Sequence, residues 1–372
     1  MDGNEASPGV REFPLHHLYC YLTEGCNLRC RHCWIVPDQI GTEGAPAELG
    51  LDLFRHVVEQ ARPLGLSTVK LTGGEPLIHS RIVEILEYIR DEDLHLTVET
   101  NGVSLSLELA RLMFACRDPF VSVSLDGVCP ETHEWVRSVK GCFKAALKGI
   151  EHLAAVGFRP QVIMTVLRRN RDEMEAVVRL AESLGAGSVK FNLVQPIARG
   201  ERLHEAGETL PVEELVELGR WVETELSPSS EIPVVYSHPP AFRPMSAMFG
   251  DQGDGCNVCG ILTVLGVLAD GSYALCGIGE NVPELVFGHA TRDRLKDVWE
   301  ETPLLRELRE GLPDRLEGVC RDCLMKGRCR ANCIAQNYYV EKNLWSPYWL
   351  CQQARELGLF PVSRLSPEAD TA

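Results

Sequence analysis

No stretch of the 372 residues reaches about 18 uninterrupted apolar positions, the length a membrane-spanning helix needs. The opening "MDGNEASPGVREFPLHH" also lacks the apolar core of a secretory leader. Cations are scarce: 37 Lys and Arg stand against 53 Asp and Glu, for a net charge of -16. A surface of that sign repels phosphate backbones. Neither a membrane nor a nucleic acid is therefore expected as a partner, and the expected location is the cytoplasm. What the chain does have is cysteine, 15 residues of it. Without a secretory leader, disulfides are not expected, and clustered thiols point to metal ligation instead.

The cysteines are unevenly spread. Cys26, Cys30 and Cys33 form C-x3-C-x2-C inside "TEGCNLRCRHCW". Cys256, Cys259, Cys276, Cys320, Cys323, Cys329, Cys333 and Cys351 crowd the last third. Cys20, Cys116, Cys129 and Cys142 lie in or beside apolar runs and are expected as small buried hydrophobes. A tetrahedral site needs four ligands. A trio implies a fourth ligand from elsewhere in the fold, or a position kept open for chemistry.

Between these groups the chain alternates. β-rich runs at 17–23, 68–74, 94–100, 120–126, 161–167 and 188–194 are separated by segments of helical periodicity such as "LDLFRHVVEQARPLG" and "FKAALKGIEHLAAVG". Gly157 and Gly185 sit just past two of these helices, where a glycine stop is expected. Strand and helix repeated six times predict an α/β fold, a partial (β/α)6 barrel of parallel strands open on one side. In such sheets chemistry gathers at the C-terminal strand ends. The cysteine trio, "TGGEP" (72–76), "ETNG" (99–102) and "SLDG" (124–127) all fall at that rim.

The trio after the first strand, with "GGEP" after the second, resembles the radical S-adenosylmethionine superfamily. The resemblance implies that three thiolates hold a 4Fe-4S cluster whose fourth iron takes the methionine end of S-adenosylmethionine. Electron transfer from that cluster yields a 5'-deoxyadenosyl radical. By the family pattern Gly73, Gly74, Glu75 and Pro76 meet the methionine amino group, through backbone carbonyls and the Glu75 carboxylate. Ser124 resembles the ribose contact and Arg137 the methionine carboxylate contact, for which a guanidinium fork is well shaped. Thr100 and Asn101 could reach the cofactor or simply form a turn, and Trp34 is placed near the adenine. His32 is expected as a supporting residue, not a ligand. Read without the family, "GGEP" is also an ordinary tight turn, and Arg137 also a solvated surface residue.

A break in composition at "SPSSEIP" (227–233) and "HPPAFRP" (238–244) predicts a boundary. The expected organisation is a tail at 1–15, the barrel at 16–226, a linker at 227–255 and a cysteine-rich domain at 256–372. "TVLGVLADGSYALCG" reads as a hairpin turning at Asp270-Gly271, and "RLKDVWEETPLLRELREG" as a single helix. Eight thiols suit two four-thiolate sites, which could be zinc or iron–sulfur. Little apolar sequence remains in this part, so the metals are expected to help fold it. The pattern resembles the SPASM extension of peptide- and protein-modifying radical enzymes, with Gly271 and Cys276 matching its Gly-x4-Cys. By that resemblance Cys256, Cys259, Cys276 and Cys333 hold an inner auxiliary cluster. Cys320, Cys323, Cys329 and Cys351 hold an outer one.

The expectation is an enzyme with three 4Fe-4S clusters that uses S-adenosylmethionine to modify a ribosomally made peptide, forming a thioether or carbon–carbon cross-link. A flavodoxin- or ferredoxin-type protein is the expected electron donor. Only 25 residues precede Cys26, so leader binding is expected to use the barrel, the extension or a separate recognition protein. Anaerobic sulfatase maturases rank second, because they carry an Asp directly after the cysteine equivalent to Cys276, where this chain has Gly277. Radical enzymes of haem biosynthesis rank third. A non-enzymatic metal-binding scaffold would have no use for an open trio and "GGEP" at one rim.

Overall fold

The computed structural model describes residues 13–39, 45–251, 253, 255–256 and 258–367. The described residues form twelve strands: β1 (His17–Tyr21), β2 (Gly25–Cys26), β3 (Asp38–Gln39), β4 (Thr68–Thr72), β5 (His95–Thr100), β6 (Arg117–Ser124), β7 (Gln161–Val166), β8 (Ser188–Leu193), β9 (Val234–Tyr236), β10 (Val264–Val267), β11 (Ser272–Ala274) and β12 (Val286–His289). Ten form one sheet in the order β12-β11-β10-β1-β4-β5-β6-β7-β8-β9. The run from β10 through β1 and β4 to β9 is parallel throughout, and only β11 and β12 are antiparallel. β9 and β12 are the two ends of this sheet, so it does not close. The small pair β2–β3 belongs to the trio loop.

The six predicted strands all form, and the parallel set extends by one strand on each side. β9 comes from the segment expected as a linker. β10 comes from the cysteine-rich extension and pairs directly with β1. The reason is edge chemistry: an unpaired barrel strand exposes a row of backbone donors and acceptors, and both short strands satisfy one.

Helices cover the outer face. α1 (Leu51–Ala61) buries Leu51, Phe54, Val57, Val58 and Ala61, an i, i+3, i+7 stripe. Each such large apolar side chain contributes on the order of 1.5–3 kcal/mol. α2 (Ile82–Asp91), α3 (Leu107–Phe114), α5 (Cys142–Ala155) and α6 (Met174–Ser183) repeat the pattern, while α4 (Pro130–Arg137) does not. α4 turns Thr132, His133, Val136 and Arg137 inward, so apolar periodicity could not announce it. Gly157 (φ 100°) and Gly185 (φ 77°) take the left-handed turns that stop α5 and α6, as expected.

The extension departs from expectation twice. Its predicted single helix is two, Leu295–Glu301 and Pro303–Gly311, because Pro303 cannot continue the first and suits the first turn of the second. It also has an apolar core of its own. Trp299, Leu305, Leu308, Tyr348 and Leu350 are buried and continuous with the barrel core, so apolar packing helps to hold this part. No helix among the described residues is long and apolar enough to cross a membrane.

Candidate metal centres and cofactor rim

The trio loop is stitched to its neighbours by backbone pairs. Gly74 N–H donates to the Thr23 carbonyl (2.8 Å) and Glu75 N–H to the Gly25 carbonyl (2.9 Å). On the other side Arg29 and Arg31 N–H donate to the Arg137 and Val136 carbonyls at the end of α4. A Cβ on Gly74 would collide with the Gly25 carbonyl, and one on Gly73 would sit 2.9 Å from the Thr23 oxygen. The glycine pair is therefore required by contact with the trio loop itself.

Glu75 is 1% exposed and braces this rim. Its carboxylate accepts from Leu77 N–H (3.1 Å), Thr100 hydroxyl (2.5 Å) and Asn101 N–H (2.8 Å), joining the loop after β4 to the end of β5. Burial raises its pKa, and these three donors oppose the rise. Pro76 opens the short turn that Glu75 caps. Asn101 extends the brace, donating from Nδ2 to Asn27 Oδ1 (2.7 Å). Ser124 ends β6, half-buried at the same rim.

Arg137 is not a surface residue. It is 7% exposed, donates from Nε to Asp126 Oδ2 (2.5 Å) and from Nη1 to Cys30 Sγ (3.4 Å). Asp126 is fully buried and also accepts from Thr165 N–H (2.8 Å). Burial would push the Asp126 carboxyl up, yet Arg137 holds it below the usual carboxylate range. The guanidinium expected by resemblance to meet a cofactor carboxylate is held between the Asp126 carboxylate and the Cys30 thiol. His32 and His133 complete the network, each kept neutral with a pKa near about 4, chiefly by burial. His32 Nε2 lies 3.5 Å from the Thr165 hydroxyl, which fits its supporting role. Sequence reasoning passed over Asp126, His133 and Arg199. Arg199, on α7 (Arg199–Glu205), reaches the Cys30 carbonyl at 3.2 Å. Trp34 packs with Tyr21, Leu268 and Ala274, toward the extension.

Of the lone cysteines, Cys20, Cys116 and Cys142 are buried as expected and Cys129 is half-buried. Cys142 shares one small apolar cluster with Cys26, Leu28 and Cys30.

The thiols fit metal-bound thiolates. Burial pushes the free Cys26 thiol up to about 12, so it would stay neutral unless something offset its charge. Leu28 N–H nevertheless donates to Cys26 Sγ (3.4 Å), Met325 N–H to Cys323 (3.4 Å) and Tyr348 N–H to Cys320 (3.5 Å). Backbone N–H groups of Ile261, Ile278 and Asn332 serve Cys259, Cys276 and Cys329 in the same way. Donors aimed at sulfur suit the charge and potential of iron–sulfur ligands.

Cys259, Cys276 and Cys333 interact electrostatically as one set. Cys320, Cys323, Cys329 and Cys351 form another and line one cavity together with Tyr348 and Phe360. Cys256 is half-buried and acts electrostatically on Cys329. Among the described residues, no three metal-ligating side chains are close enough to share a single ion.

Gly277 follows Cys276, and a Cβ there would fall within the Tyr21 ring. Tyr21 is 5% exposed, so this space is occupied by a fixed side chain.

Residues 20–181 match the radical SAM superfamily, and residues 256–324 match the SPASM iron–sulfur cluster-binding domain. The chain is 30% identical over 341 residues to the AdoMet-dependent heme synthase of Methanosarcina barkeri, covering 88% of this chain and 95% of that one. It is 28% identical over 358 residues to the mycofactocin maturase MftC of Mycobacterium ulcerans, covering 93% and 90%. Its fold resembles that of Streptococcus suis SuiB bound to the precursor peptide SuiA, with a TM-score of 0.70 at 16% identity over 92% of this chain and 76% of that one. With its thiol trio, its braced "GGEP" rim and its cysteine-rich extension, the chain belongs to the radical SAM superfamily and carries a SPASM domain.

Proposed function

We propose that this enzyme is a maturase that modifies a side chain of a ribosomally made peptide, with one cluster on Cys26, Cys30 and Cys33 and two more in the extension. When bound, the trio's cluster and S-adenosylmethionine supply a 5'-deoxyadenosyl radical that takes a hydrogen atom from the substrate. The chain's part is to place that hydrogen and keep the substrate oriented.

The observation that carries this reading is the lumen of the open sheet. Tyr19 and Lys70 line it and interact electrostatically with Cys259, while Tyr19 and Tyr21 also feel Cys276. A substrate in this lumen would lie between the rim and the extension thiols. An extended peptide suits a trough left open between β9 and β12, since exposed strand edges pair with backbone while pockets choose side chains. The likeness to a mycofactocin maturase over 93% of the chain supports the same class. A sulfatase-type reaction with an acid after Cys276 is disfavoured, because Tyr21 fills the space beside Gly277. A separate leader-recognition protein, a small electron-transfer protein as donor and a cytoplasmic location complete the proposal.

The likeness to a heme synthase supports a second reading, a radical step on a porphyrin. Isotope transfer separates the two. Deuterium at the target residue of a precursor peptide encoded beside this gene should appear in 5'-deoxyadenosine. Transfer from a deuterated porphyrin alone would overturn the maturase reading.

A further inference from the structure

Alternation along the strands sorts their residues between two faces. Val69, Leu71, Val98, Val189 and Phe191 enter the core beneath the helices. Their neighbours Lys70 (β4), Glu99 (β5) and Lys190 (β8) therefore point to the lumen. Lys70 Nζ lies 2.6 Å from Glu99 Oε1 and 4.6 Å from the centre of the Tyr19 ring. Lys190 feels Glu99 as an opposite charge and Lys70 as a like one. Its side chain makes no hydrogen bond or ion pair among the described residues.

Lys70 and Lys190 thus lie on the same face as Glu99, whose carboxylate is already paired with Lys70. A positive charge is left over in the substrate space of a chain whose net charge is -16. Holding a second lysine beside the first costs free energy through desolvation and like-charge repulsion. An incoming anion relieves both. A carboxylate matches in charge, and it would lie near the Lys70–Glu99 pair and Tyr19, on the side toward Cys259 and Cys276.

We propose that Lys190, with Lys70 beside it, binds a carboxylate of the substrate inside the barrel. This deepens the maturase reading by naming the group that orients the peptide, either its C-terminus or an Asp or Glu side chain. Lys190 is a binding residue in this role. Glu99 keeps Lys70 charged and turned toward the same point.

The test uses the full-length, cluster-loaded protein under anaerobic conditions and three probes followed by ligand-observed NMR. N-acetylglycine mimics a C-terminus, N-acetylglutamic acid α-amide mimics an acidic side chain, and N-acetylglycinamide is the uncharged control. At least one acid should bind and the control should not, and the acid that binds identifies the source. Lys190→Met should weaken that binding roughly tenfold, the value of one charge-assisted hydrogen bond, while Lys190→Arg stays within about threefold. Thermal unfolding checks that the variants fold, and Lys190→Gln replaces Lys190→Met if the latter does not. The proposal is overturned if both acids bind no better than the control, or if a folded Lys190→Met or Lys190→Gln binds as well as wild type. Deuterium transfer from a peptide without acid binding would sink this proposal and leave the maturase reading standing.

Discussion

Arg137 and Cys30, 107 residues apart, meet through a hydrogen bond of 3.4 Å from guanidinium to thiol, with Asp126 gripping the other side of the same guanidinium. One buried cation thereby serves the Cys30 thiol and an internal acid. Removing it strands the Asp126 carboxylate. Arg137→Gln should cost about 3–5 kcal/mol of stability in denaturant titrations, and adding Asp126→Asn should restore part of it. The trio cluster's reduction potential should also fall, because a positive charge beside its ligand is gone. An unchanged potential in a redox titration followed by EPR would break the link to Cys30.

Loss of the trio should be separable from the extension. Cys26→Ala, Cys30→Ala and Cys33→Ala together should abolish reductive cleavage of S-adenosylmethionine. Iron should remain at roughly two-thirds of the wild-type content, as two cubanes of three survive. Anaerobic iron and sulfide analysis beside a 5'-deoxyadenosine assay reads both. Iron falling to zero would show that the extension depends on the trio.

Gly277→Asp tests the space beside Cys276. The new side chain meets the Tyr21 ring, so overpacking should cost about 1–3 kcal/mol. Tyr21→Ala together with Gly277→Asp should recover much of that loss, a coupling that a double-mutant cycle measures. Additive effects would mean that the two positions do not compete for one volume.

Glu280 predicts a pH dependence. Burial, then the charges of Glu24 and Asp270, raise its pKa from the ordinary 4.5 to about 7. The protonated form is favoured in the fold, so this group's contribution is fully present below the unfolded value. It is lost as pH rises toward the folded value. Glu280→Gln should therefore leave stability unchanged near pH 4.5 and gain about 1 kcal/mol at pH 8, a figure reduced for partial exposure. An equal gain at both pH values would point to packing instead of charge.

Much of the architecture was readable because its signals are local. All six predicted strands form, since alternation and β-branched content act within a few residues. The hairpin at Asp270-Gly271 forms for the same reason. α4 was invisible because its inward face is polar, and the helix after β12 divides at Pro303, a breaker within a continuous charged pattern.

The sequence by itself determined the trio, the "GGEP" loop, the eight distal thiols and the parallel order of the barrel strands. Spacing within one loop and periodicity within one element carry all of these. Only the tertiary structure decided that Glu75 braces β4 to β5, and that Arg137 turns inward to Asp126 and Cys30. It alone drew β9 and β10 to the two sides of the parallel barrel set, and set Lys190 on the lumen face with Lys70 and Glu99. These are contacts between residues tens to hundreds of positions apart. Their energies come from burial and shared charge, which exist only once the strands have brought distant side chains within hydrogen-bond reach.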